Sequence, residues 1–469
     1  VKRRAVLLVL ALVVVCALAA APPAPTATAA PPRPNVVLIT VDDMRLDDLA
    51  VMPRTRELLG QLELTEFLSN HPVCCPARAQ LLTGQLAQHN GVHHNDAATP
   101  WAGYKALRAK NTTFARWFQD AGYSTALVGK FMNGWKPRTS ARPAGWSQFM
   151  PLVKNAYSPY LYSYLSGSAV KPAPEGLHTN DFVTSRTEAR IKAAEGRDSQ
   201  PFLIWSSYVA PHHMTVYPGG FGPPVPAERH RGDLAGVVPT SEAKPSYEEP
   251  TDRAQARAAY EDASSAPTAG QRARATEPSL REFNQARLES LLSVDEGVGR
   301  IVDALARRGE LERTIIVFTS DNGFLLGEHG QMGKNSYYEE SLRVPFLAAG
   351  PGVASGSSAK GSMMVDVAPS LAALARVPVK RAVDGRTDLF SAGGGWGDDI
   401  GTLIQAGSAE SPWIWRGTRT SRWTYVETLD AGTLLFDRTA DPFQLDNLAG
   451  TGEPAEQDLA RLTPGLDED

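Results

Sequence analysis

The chain has 469 residues, 42% hydrophobic and 21% charged, with a formal net charge of −4. These proportions exclude a disordered or collagen-like chain and argue against a nucleic-acid binder, and three cysteines are too few for a disulfide framework. At about 150 residues per domain the length predicts two or three domains, and 40 Gly with 35 Pro predict many loops.

Lys2-Arg3-Arg4, the apolar run Ala5 to Ala20 and the small-residue sites Ala17-Leu18-Ala19 and Ala27-Thr28-Ala29 read as a secretory signal. Residues 1–33 are therefore expected to be signal peptide and flexible leader, leaving an exported protein with no stable membrane anchor after cleavage. From Pro34 onward, short apolar runs alternate with amphipathic stretches. Asn35 to Val41, Tyr123 to Val128, Phe202 to Tyr208 and Thr314 to Thr319 are rich in apolar and β-branched residues, as buried parallel strands are. Phe114 to Ala121 and Phe283 to Arg308 carry apolar residues at helical spacing and end at Gly122 and Gly309. This alternation predicts an α/β fold, a mainly parallel sheet flanked by helices, over residues 34–384. Residues 218–280, rich in Pro, Ala, Glu and Arg, lack apolar periodicity and are expected to form a surface insertion. Trp423 to Val426 and Thr433 to Phe436 suggest a hairpin, hence a small antiparallel C-terminal subdomain at 385–469.

Each predicted strand ends in reactive groups: Asp42-Asp43, Gly129-Lys130, Pro211-His212-His213 and Asp321-Asn322-Gly323. In open α/β sheets the carboxyl ends of the strands line the ligand crevice. Any one of these is unremarkable as a cap, a turn or a solvated charge; together they define a site. Converging carboxylates repel unless a cation lies among them, and hard oxygen donors suit Ca²⁺ or Mg²⁺. Such an ion beside Lys and His fits cleavage of an anionic ester. Cys74-Cys75-Pro76-Ala77-Arg78 opens a short helix ending at Gly84, with Pro in its first turn. A vicinal structural or redox pair and an anion site at a helix start fit it equally well.

Cys74, Pro76 and Arg78, followed by Leu81-Leu82-Thr83-Gly84, resemble the sulfatase signature, whose first cysteine is oxidised to formylglycine. Gly129-Lys130, Pro211-His212, Ser320 to Gly323, Gly333-Lys334, Tyr338-Glu339 and Arg343-Val344-Pro345-Phe346 follow in the family's order. The resemblance runs from about Asn35 to Gly352 and implies an alkaline-phosphatase-like fold. It implies a metal site of Asp42, Asp43, Asp321, Asn322 and the formylglycine from Cys74, with Arg78 steadying the aldehyde hydrate. Lys130 and Lys334 would hold sulfate oxygens, and His212 would protonate the leaving alcohol. One hydrate hydroxyl would attack sulfur, and deprotonation of the other would expel sulfate. Where many members carry Gly-Lys-Trp-His, this chain has Gly129-Lys130-Phe131-Met132-Asn133, similar to the form in glucosamine-6-sulfatases and heparan sulfatases. The base for sulfate expulsion is then unassigned, with His89 one candidate. The expected partners are a sulfated carbohydrate or an aryl sulfate ester, and a formylglycine-generating enzyme. A phosphomonoester or phosphodiester hydrolase and an inactive carbohydrate-binding relative are the rival readings, disfavoured by Cys74 and by the presence of Arg78, Lys130 and His212.

Overall fold

The polypeptide from Pro34 to Asp469 is built on a ten-stranded mixed sheet and a separate four-stranded sheet. It is seen in a computed structural model, which describes residues 32–95, 98–194, 200–216, 220–247, 277–397 and 401–467. The leader expected at residues 1–33 lies almost wholly outside them. In chain order, the elements that position the site are β1 (Asn35–Asp42), α1 (Cys74–Thr83), α2 (Phe114–Asp120), β2 (Ser124–Gly129), β3 (Gln148–Lys154), α3 (Thr179–Ala194), β4 (Phe202–Pro211), α4 (Glu277–Ala306), β5 (Thr314–Ser320) and β6 (Phe346–Ala349). The small sheet is β7 (Thr402–Ala406), β8 (Trp415–Arg419), β9 (Trp423–Thr428) and β10 (Gly432–Asp437).

The centre of the large sheet runs β6-β5-β1-β4-β2-β3. β1 pairs parallel with β5 and with β4, and β2 pairs parallel with β4 and β3, whereas β6 is antiparallel to β5. Both faces of the parallel strands are covered, so side chains alternate between two apolar layers. Val36, Leu38, Leu127, Leu203, Trp205, Ile315 and Val317 face the layer that contains Ala79 and Leu82 of α1 and Phe114 and Phe118 of α2. Val37, Ile39, Val128, Ile204, Ile316 and Phe318 face Val183 of α3 and Leu291, Val294, Val298 and Ile301 of α4. That is why the strands read as unbroken apolar runs.

Two local features aim the strand ends. The β1–β4 register shifts between Thr40 and Asp42, an irregularity of the kind that redirects side chains at functional edges. At the end of β2, Gly129 has φ +106, and a Cβ there would lie 1.8 Å from the Ser207 carbonyl oxygen. Only glycine permits that approach, and it lets the Lys130 N–H donate to the same oxygen at 2.9 Å.

The expected C-terminal hairpin is β9–β10, extended by two further strands, β7 and β8. The sheet's inner face (Ile404, Ala406, Trp415, Val426, Leu434, Phe436) packs on Leu325, Tyr337, Tyr338 and Leu342 of the large domain. Arg419 and Arg438 clasp Glu66 and Glu339, each pair between 2.5 and 3.2 Å. It therefore packs as part of the one compact unit that runs from Pro34 to Asp469. Of the expected insertion at 218–280, residues 220–247 are anchored by charge and 277–280 already belong to α4, so the expected boundary falls inside that helix; the rest lies outside the described residues. Arg229 bonds Asp181 and Glu296, Lys244 bonds Glu328 at 3.0 Å and Glu340 at 2.8 Å, and Glu289 accepts the Gly232 N–H. Ion pairs leave no apolar periodicity, so a hydrophobic pattern passes over this strap.

Gly129→Ala should destabilise the protein by at least roughly 1–3 kcal/mol from its backbone conformation alone. A urea midpoint unchanged from the parent would show that β2 and β4 part easily.

Candidate active site

The carboxyl ends of β1, β2, β4 and β5 deliver Asp42-Asp43, Lys130, His212 and Asp321-Asn322 to one edge of the sheet. Cys74 opens α1 there, and Lys334 arrives on the loop before Tyr338. All are buried. The Cys74 thiol donates to Asp42 Oδ1 at 3.4 Å and accepts from Lys334 Nζ at 2.9 Å. Ligand atoms of Asp42, Asp43, Cys74 and His212 all fall within 4.8 Å of one another. Asp321 and Asn322 join through hydrogen bonds: the Asp43 N–H to Asp321 Oδ1 at 3.4 Å, and Asn322 Nδ2 to Asp43 Oδ1 at 2.7 Å.

Every carboxylate here has its own base. Lys130 pairs with Asp42, Lys334 with Asp43 at 2.5 Å, and Arg78 Nε with Asp321 Oδ2 at 2.7 Å. The relief of carboxylate repulsion expected from a bound metal ion is already supplied by these three side chains. Burial by itself raises the carboxyl groups of Asp42 and Asp43, but Lys130 and His212 overcome it at Asp42, and Lys334 and His212 at Asp43, so both end below their ordinary value. Asp321 is pushed up to about 6 by burial and the Asp42 charge, against Arg78. Burial lowers both lysines less than their carboxylates raise them, so they stay charged. The Cys74 thiol is pushed up by burial and by Asp42, so as a thiol it is protonated and a poor nucleophile.

The donors fit a hard cation. Asp43 Oδ2 and Asn322 Oδ1 are buried oxygens that accept no hydrogen bond among the described residues, and buried polar atoms are rarely left so. With Asp42 and Asp321 they form an oxygen-rich set suited to Ca²⁺ or Mg²⁺.

Several groups outside the motifs hold this geometry. Asp43 sits at φ +69, unusual for a non-glycine residue. Arg287 of α4 fixes its carbonyl at 2.6 Å and also bonds Asp48 at 2.9 Å. Ser207 Oγ accepts from Arg78 Nη1 at 2.8 Å. Asn335, at φ +66, donates its N–H to the Pro72 carbonyl and its Nδ2 to the Gly407 carbonyl, and accepts from Trp415 Nε1, all at 3.1 Å. In sequence these are ordinary polar residues, distant from their partners, and only the adjacency of Asn335 to Lys334 hinted at a role.

The histidines separate clearly. His212 Nδ1 lies 2.7 Å from the His213 carbonyl, and its Nε2 lies 3.7 Å from Asp43 Oδ2. His213 Nδ1 is 3.8 Å from the same oxygen. His89 is 56% exposed and paired with Asp384 at 2.8 Å, so it stands apart from the buried site. Met132 is buried among apolar side chains with Phe131 and Trp135 and carries no base. His178 Nδ1 accepts the Asn180 N–H at 3.2 Å at the start of α3, and His329 stacks on Tyr338. The adjacent cysteines are both free thiols. Cys74 faces the carboxylates, whereas Cys75 Sγ accepts the Asn133 N–H at 3.1 Å.

The family model for sulfatases matches residues 34–377. The chain belongs to the sulfatase family. It is 33% identical to an arylsulfatase of Volvox carteri over 75% of this chain and 56% of the relative, and 31% identical to an extracellular sulfatase of Drosophila melanogaster over 76% of this chain and 31% of the relative. The chain thus spans about half the length, or less, of these curated relatives. A solved structure described as a complex with its substrate D-glucosamine-2-N,6-O-disulfate superposes with a TM-score of 0.75 at 21% identity, covering 92% of this chain and 96% of that one. The shared fold is the mixed sheet with its small antiparallel companion. Among the described residues, no helix is long and apolar enough to cross a membrane.

Calcium should stabilise the protein. At a concentration a hundredfold above its Kd, linkage adds about 2.7 kcal/mol, read as a raised Tm in scanning calorimetry. Asp43→Asn should weaken the effect, and identical melting with calcium and with chelator would sink the site.

Proposed function

We propose that this family member hydrolyses sulfate esters of sugars after export, using a formylglycine made from Cys74 and a divalent cation. The observation that carries the reading is the charge arrangement around Cys74. Three carboxylates and three bases close a neutral, buried cluster. A divalent ion held by Asp42, Asp43, Asp321, Asn322 and the modified Cys74 would turn it cationic, as an anionic ester requires. The modified residue supplies the attacking oxygen and the cation supplies Lewis acidity.

The chain's own side chains do the rest. The Lys334 ammonium, 2.9 Å from Cys74 Sγ, and the Lys130 ammonium lie where sulfate oxygens would rest. Being buried, they act in a medium where each charge counts for more than in water. Arg78 Nη2 is buried and has no partner among the described residues. It is a donor left over for the oxidised Cys74. His212 Nε2 faces the site because Nδ1 is engaged by the His213 carbonyl. Burial lowers its pKa against the pull of Asp43 and Asp42, which makes the imidazolium a readier proton donor to the departing alcohol. Sugar sulfates are favoured as substrates by the Gly-Lys-Phe-Met-Asn segment and by the glucosamine disulfate carried in the related fold.

Peptide mass spectrometry of active protein should find formylglycine at 74 and a thiol at 75. Cys74→Ala should abolish turnover of sulfated sugars and of 4-nitrophenyl sulfate, while Cys75→Ser stays largely active. Formylglycine at 75, or turnover that survives Cys74→Ala, would overturn the reading.

His212→Ala should cost roughly 10²–10⁴ in rate on a sugar sulfate, whose alcohol needs a proton to leave. On 4-nitrophenyl sulfate the loss should be far smaller. Equal losses on both esters would remove His212 from the proton-donor role.

A further inference from the structure

His212 does not stand alone. Its ring lies between two others: Tyr157 on one side, with centroids 4.1 Å apart and planes 17° from parallel, and His213 on the other, at 4.1 Å and 25°. Tyr157 comes from the turn after β3, and the same ring lies 5.0 Å from Lys130 Nζ. One aromatic side chain thus touches the imidazole at the leaving-group side and the ammonium at the sulfate side. It also lines a shallow, open cleft with Pro159, His178, His212 and Val225.

An imidazole attached by one rotatable bond beyond Cβ has a broad, roughly twofold torsional preference. The Nδ1 contact to the His213 carbonyl restrains rotation only while the ring plane is held. Stacking on both faces holds that plane. A cation over an aromatic face within about 6 Å is also attracted by the ring's negative face, which places the Lys130 ammonium between Tyr157 and Asp42.

We propose that Tyr157 is a positioning residue: it fixes the His212 ring so that Nε2 meets the leaving oxygen, and it steadies Lys130. The assignment rests on the sulfate-ester reading above. The ring does the work, so Phe should replace Tyr and an aliphatic residue should not.

The test compares the parent with Tyr157→Phe and Tyr157→Leu, all with Cys74 modified to the same extent by mass spectrometry. Tyr157→Leu should lower kcat on a sugar 6-sulfate roughly 10–100-fold, the scale set by a misplaced proton donor, with KM changed less than about twofold. On 4-nitrophenyl sulfate kcat should fall less than about threefold, a residue left to Lys130. Tyr157→Phe should restore the parent's ratio on both esters. In ¹⁵N spectra recorded at a pH where His212 is neutral, the parent and Tyr157→Phe should show a single Nδ1–H tautomer, leaving Nε2 to take up the proton it later donates, and Tyr157→Leu should show averaging. A Tyr157→Leu enzyme with the parent's ratio of rates overturns the proposal. A parent that cleaves neither ester overturns the sulfate-ester reading instead, and the positioning role is then decided by the spectra: a single retained tautomer in Tyr157→Leu refutes it.

Discussion

Six charges share the buried edge of one sheet, and the structure depends on their being matched one to one. A lone carboxylate or ammonium taken out of water costs several kcal/mol even after relaxation. Asp42, Asp43 and Asp321 each avoid that cost through a base from a different element: Lys130 at the end of β2, Lys334 on the loop before Tyr338, and Arg78 one turn into α1. None of the three pairs is local in sequence, so none forms until the parallel strands are in register. Replacing such pairs with apolar residues often stabilises a protein. Their presence is therefore poor evidence of stability and good evidence of chemistry, since an apolar cluster would hold neither a cation nor an anionic ester.

The strain at the site has visible supports. Asp43 and Asn335 both occupy the left-handed region without being glycine, which costs of order 1 kcal/mol or more each unless the surroundings compensate. Arg287 reaches in from α4 to the Asp43 carbonyl, and the four-stranded sheet reaches in with Trp415 and Gly407 to Asn335. The C-terminal sheet is thus a support for Lys334, and Arg419 and Arg438 on Glu66 and Glu339 hold it in place. Its contribution to the site is made through backbone conformation, with no side chain of its own among the acid–base pairs.

What was legible in the sequence was whatever repeats with a period or follows a strand. The runs that became β1, β2, β4 and β5 stood out because both of their faces are covered, and the residues after them had to reach a common edge. β7 and β8 were missed because Thr402 to Ala406 and Trp415 to Arg419 interleave polar and charged residues, several of them buried through ion pairs and hydrogen bonds. The strap at 220–247 was hidden for the same reason. His89 was a reasonable stand-in for a missing base by its place near α1, but exposure and Asp384 take it away from the site. Tyr157 carried no signal at all, because a ring stacked on a histidine 55 residues later has no pattern in one dimension.

The paired cluster also explains why charge alone cannot choose between sulfate and phosphate. With a divalent ion bound, the site gains two positive charges over a neutral framework of three acids and three bases. A sulfate monoester brings one negative charge and a phosphate monoester up to two, and each is attracted. Discrimination must then come from what happens after attack. A serine or threonine nucleophile would leave an ester that water has to cleave, which is the slow step for sulfate. An aldehyde hydrate carries a second hydroxyl whose deprotonation expels the anion without attack at sulfur. Of the two thiols at the start of α1, only Cys74 faces the carboxylates and the Lys334 ammonium, while Cys75 is turned to the backbone of Asn133. On the formylglycine proposed at Cys74, a preference for sulfate would lie in the chemistry of that one side chain, with the surrounding charges making it usable.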